Sequence, residues 1–157
     1  MSAVRTNVMR LLENAGIPFT VHEYTVEDGL LDAVSMARKI EREPESVFKT
    51  LVTANPGKEH FVFVIPGPAT LDLKKAASAA SSKSIAMIPQ KELFPLTGYI
   101  HGGCSPVGLK KPFPVFLDET AQLFETFCVS GGHVGVCIEL RPADLAGYLG
   151  AAFRDLI

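Results

Sequence analysis

Apolar residues along the chain switch repeatedly between helical spacing and the two-residue alternation of strands. Helical spacing near the start, followed by Gly16, predicts a first helix whose apolar positions are Val4, Val8, Leu11, Leu12 and Ala15. An alternating segment over 19–24 predicts a strand, and helical spacing returns over 30–40. Pro44 then interrupts the pattern before the next apolar run.

Two apolar runs in the middle of the chain predict a β-hairpin, because they flank the turn signal Asn55-Pro56-Gly57. The runs cover 49–54 and 61–65 and contain many β-branched and aromatic residues. After the hairpin, Asp72 can cap the next helix, and a short helix is predicted near 90–94.

The last third of the chain contains three segments with strand propensity and ends in a helix. The segments are 115–117, 124–129 and 134–140. The tetrapeptide Ser130-Gly131-Gly132-His133 is predicted to form the tight connection between the last two strands. Pro142, at a first helical position, and Gly150, beyond a last turn, bound the terminal helix.

This succession of strands and helices predicts an α+β (mixed α/β) fold. Hairpins among the strands favour a mixed or mostly antiparallel sheet that curves around a pocket. The 157 residues, nearly half of them apolar, are expected to form a single domain over 1–157 with one core. No run approaches the roughly 20 apolar residues of a membrane span, and 1–16 is more typical of an amphipathic helix than of a signal peptide. We therefore expect a cytoplasmic protein with no membrane partner.

Charge and cysteine content narrow the function classes further. The formal net charge is -2 at pH 7, and basic residues form only small clusters such as Lys110-Lys111, so we expect no DNA partner. Cys104, Cys128 and Cys137 lack metal-ligand spacing, and the chain has no Ser-His-Asp set or acidic cluster. We therefore expect neither a metal nor a cofactor. Cys128 and Cys137 are predicted to be buried, and Cys104 is predicted to line the pocket.

Two segments about fifty residues apart carry the candidate chemistry. In 46–52, Lys49 is the one charged residue of a run with strand character. The glycine loop, which we define as 98–111, has four glycines around Ser105-Pro106 and can bring backbone amides close to a ligand. A lysine beside such a loop is suited to the chemistry of a carbonyl or a phosphate.

Four motifs, in order and at compatible spacing, closely resemble the YbaK/EbsC family, whose members are free-standing relatives of the editing domain of bacterial prolyl-tRNA synthetases. The motifs are Phe48-Lys49-Thr50-Leu51, Gly98-Tyr99-Ile100-x-Gly102-Gly103-x-Ser105-Pro106-x-Gly108-x-Lys110-Lys111, Asp118-Glu119-Thr120-Ala121 and Val129-Ser130-Gly131-Gly132. The resemblance covers nearly the whole chain. It implies a twisted, barrel-like mixed sheet, mostly antiparallel, with helices packed around it.

The resemblance also implies a function, namely trans-editing hydrolysis of mischarged Cys-tRNA(Pro) in translation. Lys49 would then hold the ester carbonyl or a phosphate, and the amides of Gly102 and Gly103 would stabilise the oxyanion. Substrate contacts would come from Tyr24, Thr50, Ser105, Ser130, Lys110 and Lys111. The substrate's own thiol would assist cleavage of the ester. The implied partners are the 3′ end of aminoacyl-tRNA(Pro) and prolyl-tRNA synthetase.

Other interpretations stay open at this level. A deacylase specific for Ala-tRNA(Pro) would differ only in the size of the pocket. A non-catalytic module of the same fold could bind an aminoacyl-tRNA or a synthetase without turnover. For single residues, Ser105 is also typical of a turn, and Lys49 of a surface lysine.

Overall fold

The computed structural model describes residues 5–157, so Val4 of the predicted first helix lies outside the described residues. The helices are α1 Asn7–Asn14, α2 Ala33–Lys39, α3 Leu73–Ala79, α4 Leu93–Thr97 and α5 Pro142–Leu149. The strands are β1 Thr20–Glu23, β2 Phe48–Ala54, β3 His60–Pro66, β4 Ala86–Met87, β5 Val115–Asp118, β6 Phe127–His133, β7 Val136–Leu140 and β8 Ala152–Arg154. Short 3₁₀ helices cover Pro44–Ser46, Gln90–Glu92 and Glu119–Leu123.

Polar capping residues mark where α1, α2 and α3 begin. The Thr6 hydroxyl accepts a hydrogen bond from the Met9 amide at the start of α1, and the Asp72 carboxylate accepts two from the first turn of α3. Asp32 caps α2 in the same way, so this helix begins later than the apolar pattern starting at residue 30 predicts. Gly16 has the left-handed φ of 73° that follows the end of α1.

The strands form two sheets. One has the order β1-β7-β6 and is antiparallel throughout. The other has the order β4-β2-β3-β5-β8, in which β2 pairs antiparallel with β3 and β4, and β5 pairs parallel with β3 and β8. The predicted α+β class with mixed, mostly antiparallel pairing is therefore confirmed. The strands described between residues 5 and 157 do not close into a barrel.

A single bridge joins the two sheets. Val47, just before β2, pairs in parallel with Cys128 in β6, and no other bridge connects these strands within residues 5–157. Beside this bridge the rings of Phe48 and Phe127 pack edge to face, with their centroids 5.0 Å apart. Both rings are fully buried, so the sheets share one core at this point.

The prediction for Ser130-Gly131-Gly132-His133 is wrong, because these residues belong to β6 and the connection to β7 is Val134-Gly135. Ser130 pairs with Cys137 and His133 pairs with Val136, so the two glycines between them form a bulge. A Cβ at Gly131 would lie 2.7 Å from Cγ1 of Val136. Gly131 is therefore required by close packing inside the strand pair, and Gly132 by its φ of 90° and its close approach to Val8, not by a tight turn.

A second close approach fixes the start of α2 against the hairpin. A Cβ at Gly67 would lie 2.7 Å from Cβ of Ala33 and 2.9 Å from the Val47 carbonyl oxygen. The Gly67 amide donates to that same oxygen at 2.8 Å. α2 therefore rests directly on the backbone at the end of β3. None of the helices between residues 5 and 157 has the length and apolar character needed to cross a membrane.

We predict that Gly67→Ala destabilises the fold by about 1–3 kcal/mol, because the added methyl group overpacks the contact between α2 and β3. Gly147→Ala is the matched control, since this glycine lies inside α5 with no atom within 4 Å of an added Cβ. The control should stabilise the protein by about 0.5–1 kcal/mol. Urea unfolding of both variants measures the two effects. Equal free energies of unfolding for Gly67→Ala and wild type would contradict the proposed contact.

Candidate functional site

A cavity of about 360 Å³ opens beside the junction of the two sheets. Its walls come from β2, the start of α2, the glycine loop and Ser130 of β6. The cavity brings together four of the predicted site residues, namely Lys49, Thr50, Gly102 and Ser130. A second cavity, of about 330 Å³, is lined by residues such as Arg42, Phe124 and Thr126 and contains none of the predicted site residues.

Lys49 contributes a positively charged side chain to the wall of the cavity. It lies in β2 opposite Ile65 and is half-buried. Burial lowers its pKa, because the ammonium loses water without gaining a partner. Among the described residues, no side chain forms a hydrogen bond or a salt bridge with it. An anion or a polarised carbonyl entering the cavity would meet an unpaired positive charge.

Thr50 contributes polar groups from both its side chain and its backbone. Its buried hydroxyl is the one buried side-chain N or O atom without a hydrogen-bond partner among the described residues. The hydrogen bond from the Gly67 amide to the Val47 carbonyl shows that these two residues are a hydrogen-bonded pair of the antiparallel β2–β3 ladder. Such pairs recur at every second residue, so the odd-numbered residues of β2 bond to β3. The peptide groups of Thr50 therefore point to the opposite edge of β2. There β4 pairs only with Thr53 and Ala54.

The two adjacent glycines of the glycine loop have different roles. The Gly103 amide donates to the Ile100 carbonyl at 3.0 Å and closes a turn, so it is not free to bind an oxyanion in this conformation. Gly103 also packs closely on the β6–β7 connection, where an added Cβ would lie 3.1 Å from the Val134 nitrogen. Gly102 lines the cavity with a left-handed φ of 86°, and its amide makes no hydrogen bond within the described part of the chain. The predicted pair of amide donors is thus reduced to one candidate.

The other predicted contacts lie outside the wall of the cavity. Ser105 is fully buried, and its hydroxyl accepts a hydrogen bond from the Val107 amide at 3.2 Å, as in a turn. Tyr24 packs against the cluster that contains Met36, and burial raises the pKa of its phenol. Lys110 and Lys111 are exposed beyond the last glycine of the loop.

Sequence reasoning predicted Cys104 correctly as a lining residue and missed Asp32. The Cys104 thiol lies in the cavity wall, and burial raises its pKa to about 12, so it stays protonated and is a poor nucleophile. Cys128 and Cys137 are buried, as predicted. Asp32 lines the cavity and also caps α2. Its position just before the apolar residues of α2 indicated the cap, and no sequence signal indicated its place in the cavity.

A polar cluster of His22, Cys128 and Glu139 lies away from the cavity, with ligand atoms within 4.8 Å of one another. The Glu139 carboxylate already binds Nε2 of His22 at 2.8 Å and Nη1 of Arg42 at 2.8 Å. Burial opposes ionisation of the Glu139 carboxyl group. The hydrogen bonds from Thr126 and His22 and the charge of Arg42 outweigh burial and lower the pKa of Glu139. A cation at this cluster would compete with Arg42, so the geometry favours an internal ion network.

Known proteins share both the sequence and the fold. Residues 27–148 match the model of the aminoacyl-tRNA editing domain family. An Enterococcus faecalis protein, named as the proposed Cys-tRNA(Pro)/Cys-tRNA(Cys) deacylase EbsC, is 40% identical over 152 residues, which are 97% of this chain and 93% of that protein. The resemblance seen in the sequence motifs is therefore confirmed.

Solved structures agree with this match. A proposed trans-editing enzyme for prolyl tRNA synthetase superposes with a TM-score of 0.83 at 26% identity and covers 98% of each chain. The hypothetical protein APE2540 superposes with a TM-score of 0.86 at 21% identity and covers 95% of this chain and 97% of its own, which supports the fold alone.

We predict that Lys49→Met raises the free energy of unfolding by about 0.5–1 kcal/mol, because it removes a partly buried charge that has no partner. The lowered pKa means that the folded state binds fewer protons than the unfolded state as the pH rises from the folded pKa to the ordinary value of 10.5. The extra stability of Lys49→Met over wild type should therefore be fully present at neutral pH. It should shrink as the pH rises from the folded-state pKa of Lys49 towards 10.5.

Urea unfolding at a series of pH values measures this difference. Lys83→Met is the control, because Lys83 is exposed and outside the cavity, and its stability should match wild type. A Lys49→Met protein that is less stable than wild type at neutral pH would show that the ammonium has a stabilising partner.

Proposed function

The chain belongs to the aminoacyl-tRNA editing domain family, and on that premise we propose that it is a trans-editing hydrolase that deacylates mischarged Cys-tRNA(Pro). The observation that carries the proposal is the unpaired Lys49 ammonium in the same small cavity as the Gly102 amide. Ester hydrolysis places negative charge on the carbonyl oxygen, and a fixed amide and a cation in a sheltered site both stabilise that charge. The relationship to EbsC supports cysteine as the amino acid removed.

In this proposal Lys49 holds the ester carbonyl or the neighbouring phosphate, and the Gly102 amide faces the developing oxyanion. The cavity lining supports a substrate-derived nucleophile, because the side chains that could attack are poorly disposed. Ser130 accepts a hydrogen bond from the Gly132 amide at 3.2 Å, and Cys104 is held as a neutral thiol. The substrate's own thiol therefore assists the cleavage, and Thr50 and Ser130 contact the aminoacyl group.

We also propose that the protein acts in the cytoplasm with prolyl-tRNA synthetase as its partner. A net charge of -2 supports this, since reading a whole tRNA through its phosphates requires a larger basic surface. The cavity receives the 3′ end of aminoacyl-tRNA(Pro), and the exposed Lys110 and Lys111 meet its phosphates. The synthetase, which already recognises this tRNA, supplies the selection.

We predict that Lys49→Met lowers kcat/KM for deacylation of Cys-tRNA(Pro) by about a hundredfold or more, because the charge that stabilises the reacting group is lost. Single-turnover release of cysteine from the tRNA measures the effect. Lys83→Met should retain wild-type activity, which separates the cavity charge from overall charge. Wild-type hydrolysis by a folded Lys49→Met protein would exclude Lys49 from the reaction.

We predict that the enzyme hydrolyses cysteinyl-tRNA(Pro) more than about a hundredfold faster than seryl-tRNA(Pro), since pocket shape alone rejects a similar-sized rival by about that factor at most. Cys104→Ala should leave the rate on the cysteinyl ester within about threefold of wild type, because the neutral Cys104 thiol is not the nucleophile. Equal rates on the two esters would contradict thiol assistance. Faster hydrolysis of the alanyl ester would instead identify an alanine-specific editor, and no hydrolysis of any ester would indicate a binding module.

A further inference from the structure

Asp32 is the one acidic side chain among the described residues that line the cavity. Its carboxylate is held in place by Ser35 at the start of α2. Oδ1 accepts a hydrogen bond from the Ser35 amide at 2.8 Å, and Oδ2 accepts one from the Ser35 hydroxyl at 2.9 Å. Each oxygen keeps a further lone pair for another donor. The carboxylate is therefore a fixed acceptor in the cavity wall.

The charge of Asp32 is not balanced by a cation of the protein. Asp32 forms no salt bridge within residues 5–157, whereas the nearby Asp28 binds Lys39 at 2.9 Å. The hydrogen bonds from the Ser35 amide and hydroxyl lower the pKa of Asp32, so it is ionised at neutral pH. The cavity wall thus carries a solvent-exposed anion without a cation partner as well as the half-buried, unpaired Lys49 cation.

These two charges match the two ends of one kind of ligand. An aminoacyl ester of a nucleotide carries a carbonyl, which the ribose links to the phosphate, and an α-ammonium group one carbon from that carbonyl. Lys49 favours the carbonyl end and repels the ammonium, whereas a carboxylate attracts the ammonium. The Thr50 carbonyl on the free edge of β2 offers the ammonium a second acceptor. A ligand without the ammonium would leave Asp32 unpaired.

We propose that Asp32 binds the α-ammonium group of the aminoacyl ester, an inference that rests on the proposed deacylase function. Binding of the ammonium group would distinguish esters by their amino group, which the shape of the side-chain pocket does not do. Esters whose amino group is acylated, as in a peptidyl-tRNA, lose the charge that Asp32 recognises. The cavity would therefore act on free aminoacyl esters and leave N-acylated ones intact.

The test measures binding without turnover, by calorimetric titration of two non-hydrolysable analogues. One is adenosine carrying cysteine through a 3′ amide, and the other carries 3-mercaptopropionate, which is cysteine without its amino group. Wild type should bind the aminated analogue about tenfold more tightly, the value of one hydrogen bond to a charged group. Asp32→Asn should lose this preference and keep its affinity for the desamino analogue.

Asparagine is a good helix cap, so Asp32→Asn should retain α2. Asp72→Asn is the matched control, because Asp72 caps α3 in the same way and lies outside the cavity, and its preference should equal that of wild type. An equal loss of affinity for both analogues in Asp32→Asn, or the absence of a preference in wild type, would overturn the assignment. Deacylation of Cys-tRNA(Pro) by wild type is measured separately, so a failure of the ammonium site and a failure of the proposed function give different results.

Discussion

The contact between the two sheets at Val47 and Cys128 is the constraint on which the rest of the structure depends. The buried rings of Phe48 and Phe127 hold the sheets together at this bridge, and no further pairing joins β2 to β6 in the described part of the chain. Because the sheets part immediately beyond it, β2 presents a free edge. α2, set against Gly67, and the glycine loop close the space around that edge. The cavity is a direct result of two sheets that meet once and then separate.

The sequence predicted the elements that have strong local signals and failed where one signal fits two structures. The β2–β3 hairpin and helices α1, α3 and α5 were correct, since the strand alternation, the Asp72 cap, Pro142 and the glycines after α1 and α5 gave clear signals. Strands β4 and β8, of two and three residues, are too short to show alternation. The glycine pair in β6 was assigned to a turn, because glycine serves a bulge and a turn equally well from sequence alone. In the site, the apolar run around Lys49 and its family motif indicated this residue, but the sequence could not reveal that the Gly103 amide was already bonded or that Asp32 shared the cavity.

Two groups in the cavity wall cost stability when no ligand is bound. The half-buried Lys49 ammonium has no counter-charge, and the buried Thr50 hydroxyl has no hydrogen-bond partner among the described residues. Asp32 differs from both, because its exposed carboxylate already accepts two hydrogen bonds from Ser35. Elsewhere the fold pairs its half-buried charges carefully, as Glu139 does with Arg42 and His22. This contrast supports the proposed role of Lys49 in holding a ligand, since a functional site commonly costs a protein some stability.

The free edge of β2 has a further consequence for how the protein behaves among other chains. An unpaired strand edge normally invites another strand, and this is a common route to aggregation. Here the unpaired peptide groups of Thr50 face the cavity, which α2 and the glycine loop enclose. Another strand could reach this edge only if α2 or the glycine loop moved away from the cavity of about 360 Å³. The same enclosure that shapes the cavity therefore also keeps this part of the β2 edge from pairing with other strands.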